Sequence, residues 1–245
     1  KMIKLSDKYK VETFVLVSTD KAVNPVNVMG ASKRMAERLI QTYDLTSKTQ
    51  FMAVRFGNVI GSSGSAIPTF QQQIKDGGPV TITHPEMIRY FMSIPEASQL
   101  ILQTAAIGRG GEIFLLEMGE PIKIVQIARD LIRLSGFEPE IDIPIVYTGL
   151  RPGEKLFEEL QTKEEDLIAT NHKKIMILKD DSHLYEVDWL ALESSVHELL
   201  RIAENLELNE IQSFLKKLLP DYSPGKFMNV RLPSHIEPYS IKGQA

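Results

Sequence analysis

The stretch VSTDKAVNPVNVMGASKRMAERL, Val17 to Leu39, decides the fold. An apolar, partly β-branched run, Phe14–Val17, leads straight into Ser18-Thr19-Asp20-Lys21. Such a run predicts a central parallel strand covered on both faces. Asn24-Pro25 breaks the chain. From Val28 to Tyr43 the spacing of Met35, Leu39 and Ile40 predicts a helix, with Lys33, Arg34, Glu37 and Arg38 facing outward. A strand, a polar turn and a helix in this order make a βα unit.

The same alternation continues outward. Phe51–Phe56 reads as a strand ending in Gly57-Asn58, and Ile67–Lys75 as a helix. Short strands are expected at Val80–Ile82 and Arg89–Met92, a helix at Glu96–Ile107, and a strand at Glu112–Leu116. A helix over Ile124–Ser135 ends at Gly136, and Ile143–Val146 is a further strand. Residues 188–219 read as helical, residues 220–245 as an extended arm, and KMIKLSDKYK as the tail of a helix. Alternating strands and helices predict an α/β chain with a parallel sheet.

Composition narrows the function. The 245 residues are 43% hydrophobic and 24% charged, with a net charge of −4 and scattered Lys and Arg. That favours neither nucleic acid nor an anionic membrane surface. Without cysteine there is no disulfide and no thiolate metal site. His84 and the other histidines lack metal-ligand spacing, so no metal is expected. No apolar run is long enough to span a bilayer, so this segment is expected to make no membrane contact of its own.

In open α/β sheets, ligands bind beyond the carboxyl ends of the strands. Ser18–Lys21 and Gly57-Asn58 stand at two such ends and can line one crevice. An adjacent Asp20 and Lys21 suit a reaction in which protons move both ways: a carboxyl can donate to a leaving hydroxyl, and an unprotonated amine can take an acidic C–H proton. Thr19 can orient a substrate hydroxyl. The plainer alternative is a turn and N-cap, since S-T-D serves both. Met29 and Lys33 share one helix face, either as a core methionine beside a solvated lysine or as crevice residues. Arg89 inside an apolar strand asks for an anion, whereas Arg151-Pro152-Gly153-Glu154 reads equally as a turn. No G-x-G-x-x-G follows a strand.

Four stretches in order, STDKAVNPVNVMGASKR, RFGNVIGSSGSAIPTFQQQI, HPEMIRYFMSIPEA and GLRPGEKLFEEL, resemble the CapD-like polysaccharide-biosynthesis family of UDP-N-acetylglucosamine 4,6-dehydratases, which are extended short-chain dehydrogenase/reductases. The resemblance covers about Val11 to Leu160. Where the superfamily has Y-x-x-x-K, this chain has Met29 and Lys33, as in the membrane-anchored, configuration-retaining branch. The resemblance implies the C-terminal part of a Rossmann-like parallel sheet, an interleaved UDP-sugar lobe and a helical C-terminal extension. It divides the chain into a partial NAD-binding region (1–60 and 94–119), a substrate lobe (61–93 and 120–172) and the extension with its tail (173–245). It also implies NAD as hydride store, a UDP-sugar substrate, a homo-oligomer in the full-length protein, and a cytoplasmic location with an anchor in a preceding region.

By the same resemblance, Asp20 is the acid at the C6 hydroxyl and Lys21 the base at C5. Thr19 bonds the C4 hydroxyl, and Lys33, with Ser18, contacts the cofactor. Asn58 contacts the sugar or diphosphate, Arg89 and Arg151 bind the diphosphate, and Glu154 accepts bonds from the uridine ribose. Met29 cannot take the C4 proton, a role that passes to Asp20. A UDP-sugar 4-epimerase and a non-catalytic nucleotide-sugar-binding fragment are the alternatives. With its usual neighbours absent, the strand Phe14–Val17 is expected to expose apolar sheet surface.

Overall fold

A computed structural model describes residues 1–62, 64–162, 165–179, 188–205 and 208–225. Seven helices and eleven strands occur among them: α1 Met2–Lys8, β1 Thr13–Val17, α2 Val28–Asp44, β2 Gln50–Arg55, β3 Asn58–Val59, α3 Ala66–Lys75, β4 Val80–Ile82, β5 Ile88–Arg89, β6 Phe91–Met92, α4 Ile94–Ile107, β7 Ile113–Leu116, β8 Ile122–Lys123, α5 Ile124–Leu134, β9 Ile145–Tyr147, β10 Asp166–Ala169, β11 Ile175–Lys179, α6 Trp189–Glu204 and α7 Leu208–Leu218. A 3-10 turn, Asp20–Ala22, lies between β1 and α2.

The central sheet runs β1-β2-β7-β11-β10. β1, β2 and β7 are parallel, with Phe14 opposite Phe51 and Val54 opposite Phe114. Side chains alternate between two helical layers. Phe51 and Ala53 of β2 and Ile113 and Leu115 of β7 pack with Ile40 of α2. Met52, Val54, Phe114 and Leu116 pack on the other face with Ala97 and Leu100 of α4. Both faces being covered explains why these strands read as unbroken apolar runs. The fold is therefore a mixed α/β, Rossmann-like sheet.

Three expectations change. Among the described residues β1 lies at the edge of the sheet, not at its centre: its strand partner there is β2, its residues 13–16 are half-buried, and Val17 is 43% exposed. The run FVLV could not reveal this, because an edge strand with apolar faces has the same composition as a covered one. β10 and β11 were not expected: β11 joins β7 antiparallel and β10 in turn joins β11 antiparallel, so the sheet is mixed. The sheet therefore runs past residue 172, where the helical extension was expected to begin. The run Ile175–Leu178 carried a signal for β11, but all four residues of β10 are exposed and show no pattern. Finally, Glu37 faces inward and is fully buried.

Outside the sheet, α3, α5, β4 and β9 share a second core around Phe70, Ile74, Val80, Ile132 and Ile145. α6 and α7 pack on α2 through Leu192, Leu215, Leu219 and Tyr222. Beyond α7 the chain runs beside the loop before α2: the Ser223 and Gly225 amides donate to the carbonyls of Pro25 and Val26, both at 2.9 Å. The rest of the expected arm, 226–245, lies outside the described residues.

An edge strand with half-buried apolar faces is an association surface. On its own, the chain should bind an apolar dye and self-associate in size-exclusion chromatography. A dye-silent monomer contradicts this.

Candidate active site

The site begins where β1 and β2 end. The Ser18 amide donates to Val54 O at 2.8 Å, and the Asp20 amide to Phe56 O at 3.1 Å, so the 3-10 turn is stitched to the exit of β2. Thr19 caps that turn by accepting from the Lys21 amide at 3.4 Å. α2 then starts at Asn27, whose side chain accepts from the Gly30 amide at 2.8 Å. Gly30 is required here: a Cβ at this position would lie 2.1 Å from the Lys21 carbonyl oxygen. Backbone-to-backbone contact between turn and helix thus fixes where Lys21 stands.

A cavity of about 570 Å³ opens over these strand ends, the size of a small-molecule site. Ser18, Thr19, Lys21, Asn58, Arg89, Arg151 and Glu154 all line it. Its far wall is formed by Ser65, Thr69, Thr81, Thr83, Met87 and Phe91, which sequence reasoning did not single out. An adjoining recess of about 320 Å³ shares Lys21, Arg89, Arg151 and Glu154 and is also lined by Met29. Of the nominated residues, Asp20 and Lys33 line neither.

Lys21 is the centre of the polar wall. Its Nζ donates to Asp20 Oδ1 at 2.9 Å and to Asn58 Oδ1 at 3.2 Å, and lies 3.6 Å from Glu158 Oε1. Asp20 is fully buried behind it. Thr19 Oγ1, on the cavity wall, donates to the same Asp20 oxygen at 2.9 Å, so Thr19 links the carboxyl to the cavity. Asp20 Oδ2 has no hydrogen-bond partner. Gly57 leaves room for it, since a Cβ there would come within 3.2 Å of that oxygen.

Arg89, on the cavity wall, is already partnered within the protein. Its guanidinium donates to the carbonyls of Ile88, Lys155 and Leu156 and lies 3.4 Å from Glu158 Oε1, so it clamps the segment after the Arg151 turn. Arg151 is exposed, and its guanidinium makes no bond to the protein among the described residues, so it keeps a free donor fork beside the cavity. Glu154 folds back: Oε2 accepts from the Arg151 amide at 3.0 Å and Oε1 from Thr83 at 3.1 Å.

Glu158, in the fourth motif, was overlooked. Its side chain is only 3% exposed, and its Oε2 has no partner. Burial pushes its carboxyl above the usual range. Asp20 adds to this, and together they outweigh the opposing pull of Lys21, Arg89 and Lys155.

Ser18 spends its hydroxyl hydrogen inward, on Glu37 Oε1 at 2.6 Å. Glu37 was expected to face solvent. It turns in because Arg55, fully buried at the end of β2, faces it: Nε and Nη2 donate to the two Glu37 oxygens, both at 2.8 Å. Arg55 Nη1 donates to Glu165 at 2.9 Å and 3.1 Å. Arg34 adds a bond to Glu37 at 3.3 Å and reaches Asp221 at 3.2 Å. Burial works against ionised Glu37, but Arg55, Arg34 and Ser18 outweigh it and hold the carboxyl below the usual range.

The residues nominated for a dinucleotide fit in part. Lys33 Nζ donates to Val17 O at 3.0 Å, at the rim of the open edge strand, and its remaining hydrogens are available to a ribose. The Ser18 hydroxyl, committed to Glu37, can only accept. No phosphate-cradling glycine turn occurs among the described residues, nor do three His, Asp or Glu gather as a metal site requires. No helix among them is long and apolar enough to cross a membrane.

Residues 1–180 match the family described as polysaccharide biosynthesis protein. The chain belongs to that family. It is 56% identical over 200 residues to the capsular polysaccharide biosynthesis protein CapD of Staphylococcus aureus, covering 79% of this chain and 33% of that protein. It is 40% identical over 161 residues to a UDP-glucose 4-epimerase of Rickettsia canadensis, covering 64% of this chain and 46% of that protein. The solved structure of Pen from Bacillus thuringiensis superposes with a TM-score of 0.65 at 35% identity, over 73% of this chain and 56% of that one. The chain thus spans a third to a half of the length of these curated relatives, one of which is named as a UDP-glucose 4-epimerase.

The buried ion network yields a stability test. Removing one partner of a buried ion pair costs about 3–5 kcal/mol, so Glu37→Ala should lower the denaturant midpoint accordingly. Because Glu37 ionises more readily folded than unfolded, its contribution is present above the ordinary carboxylate range and is lost as pH falls through the folded value. Glu37→Gln should flatten that acid-side loss. An unchanged midpoint in Glu37→Ala would refute the assignment.

Proposed function

We propose that this chain carries the proton-transfer and sugar-binding part of an NAD-dependent UDP-N-acetylglucosamine 4,6-dehydratase serving polysaccharide synthesis. The observation that carries the reading is Lys21: an amine on a cavity wall, backed by the buried Asp20 carboxyl and flanked by Thr19 and Asn58. NAD, bound beside Lys33, would supply hydride storage, taking hydride from sugar C4 and returning it at C6.

The chain's own groups then balance the protons. The C4 hydroxyl bonds Thr19 and passes its proton, through the Thr19 hydroxyl, to Asp20 Oδ1. This route answers the methionine at position 29, since the proton takes a path that avoids that side chain. The C4 ketone acidifies the C5 hydrogen, and the neutral Lys21 amine takes that proton. The C6–O bond breaks, and Asp20 returns its proton, through the Thr19 hydroxyl, to the leaving hydroxyl, which departs as water. Lys21 finally gives its proton back to C5. Arg151 offers its free fork to the diphosphate. Electrostatic positioning of this kind is worth several kcal/mol in a dry cleft.

A second reading, UDP-sugar 4-epimerase, draws on the Rickettsia relative. Product analysis separates the two: the dehydratase gives a 4-keto-6-deoxy sugar, the epimerase a C4 epimer. Lys21→Ala in the intact protein should abolish elimination, by about 10²–10⁴-fold for loss of a general base, with UDP affinity nearly unchanged. Normal turnover by Lys21→Ala excludes the base assignment. Retained UDP binding without any product in the wild type would favour a binding fragment.

A further inference from the structure

Lys21 has a difficulty that its neighbours both create and resolve. As a base it must be neutral, yet two carboxyl groups flank it, Asp20 at 2.9 Å and Glu158 at 3.6 Å. If both were ionised they would hold the lysine proton in place. We propose, on the dehydratase reading, that Glu158 is a positioning residue that stores the lysine's proton. The Nζ–H bond breaks as an O–H bond forms on Glu158 Oε1, leaving a neutral amine facing the sugar and a neutral acid behind it.

Three observations support this. Glu158 Oε1 faces Lys21 Nζ just beyond hydrogen-bond length, and a small side-chain adjustment closes the gap. The transfer turns a half-buried ammonium and a buried carboxylate into two neutral groups, which desolvation favours. Glu158 Oε2 is buried without a partner, a costly state for an ionised carboxylate and a cheaper one for a protonated acid. The carboxyl's upward displacement by burial points the same way.

The surrounding charges are compatible. Arg89 Nε, 3.4 Å from Oε1, favours the ionised form, and Asp20 opposes it. The Lys155 ammonium is spent on Val23 O at 2.9 Å and Glu159 at 3.0 Å, and Glu154 lies 4.0 Å from Arg89. With the proton shared inside the pair, the site keeps one proton over a wide pH range, and the amine remains usable near neutrality.

The test compares the intact wild-type protein with Glu158→Gln and Glu158→Asp, using UDP-N-acetylglucosamine and NAD. Wild-type kcat should be flat between about pH 6.5 and pH 8.5. In Glu158→Gln it should fall about tenfold or more at the acid end, with KM little changed, and recover as pH rises and bulk water takes the proton instead. Glu158→Asp should regain part of the rate and of the flat profile. A uniform loss at every pH, or no loss, overturns the proposal.

A second readout needs no turnover: acetic anhydride labels only unprotonated amines, and mass spectrometry reports the labelling of Lys21. The labelling near pH 6.5 should drop in Glu158→Gln. A rise, which is what an anion that merely pins the ammonium predicts, overturns the proposal, and so does no change. If Lys21 labelling depends on Glu158 but no 4-keto product forms, the dehydratase reading fails and the proton store stands. If product forms and labelling ignores Glu158, the proton store alone fails.

Discussion

A guanidinium with no exposure, that of Arg55, sits at the end of β2, and the structure around it is arranged to pair it. Stripping a cation of water costs several kcal/mol even after relaxation, so the fold tolerates Arg55 only with its donors satisfied. Glu37 comes from α2, Glu165 from the segment before β10, and Ser18 from the exit of β1. Three elements distant in sequence must therefore meet at one point, with little freedom in α2's rotation about its axis. That rotation brings Gly30 against the Lys21 carbonyl, and so the buried ion network on one side of α2 sets the position of the reactive turn on the other.

The candidate site has a complementary logic. Its rim is built from backbone: two strand ends, a 3-10 turn and a helix start, which cannot drift independently. Onto this rigid edge the chain places groups whose charges disagree. Lys21 meets two carboxyl groups, each with one oxygen lacking a partner. Structural ion pairs are normally completed, as the Arg55 network is. The contrast between a saturated network and an unsaturated one, a few residues apart along α2 and its preceding turn, separates a part that supports the fold from a part suited to chemistry.

Sequence reading went far on the sheet and less far on the site. β2 and β7 were legible because both their faces are covered, which forces continuous apolar runs. The cavity residues Thr19, Lys21, Asn58, Arg151 and Glu154 were legible because they lie at strand ends or in quoted motifs. β10 was illegible because its four residues are exposed and carry no alternation. Arg89 was legible as a residue that needs partners, but not which ones: the Lys155 and Leu156 carbonyls and the Glu158 carboxylate surround its guanidinium.

The linear order of residues determined the local elements, the crossover from β1 through α2 to β2, and the adjacency of Asp20 and Lys21, because each depends on periodicity or on neighbours in the chain. Only tertiary structure decided that β1 forms an edge, that Glu37 turns inward, and that Glu158, more than a hundred positions away, stands beside Lys21. Burial and charge compensation are properties of what packs against a side chain, and no window of sequence contains that information.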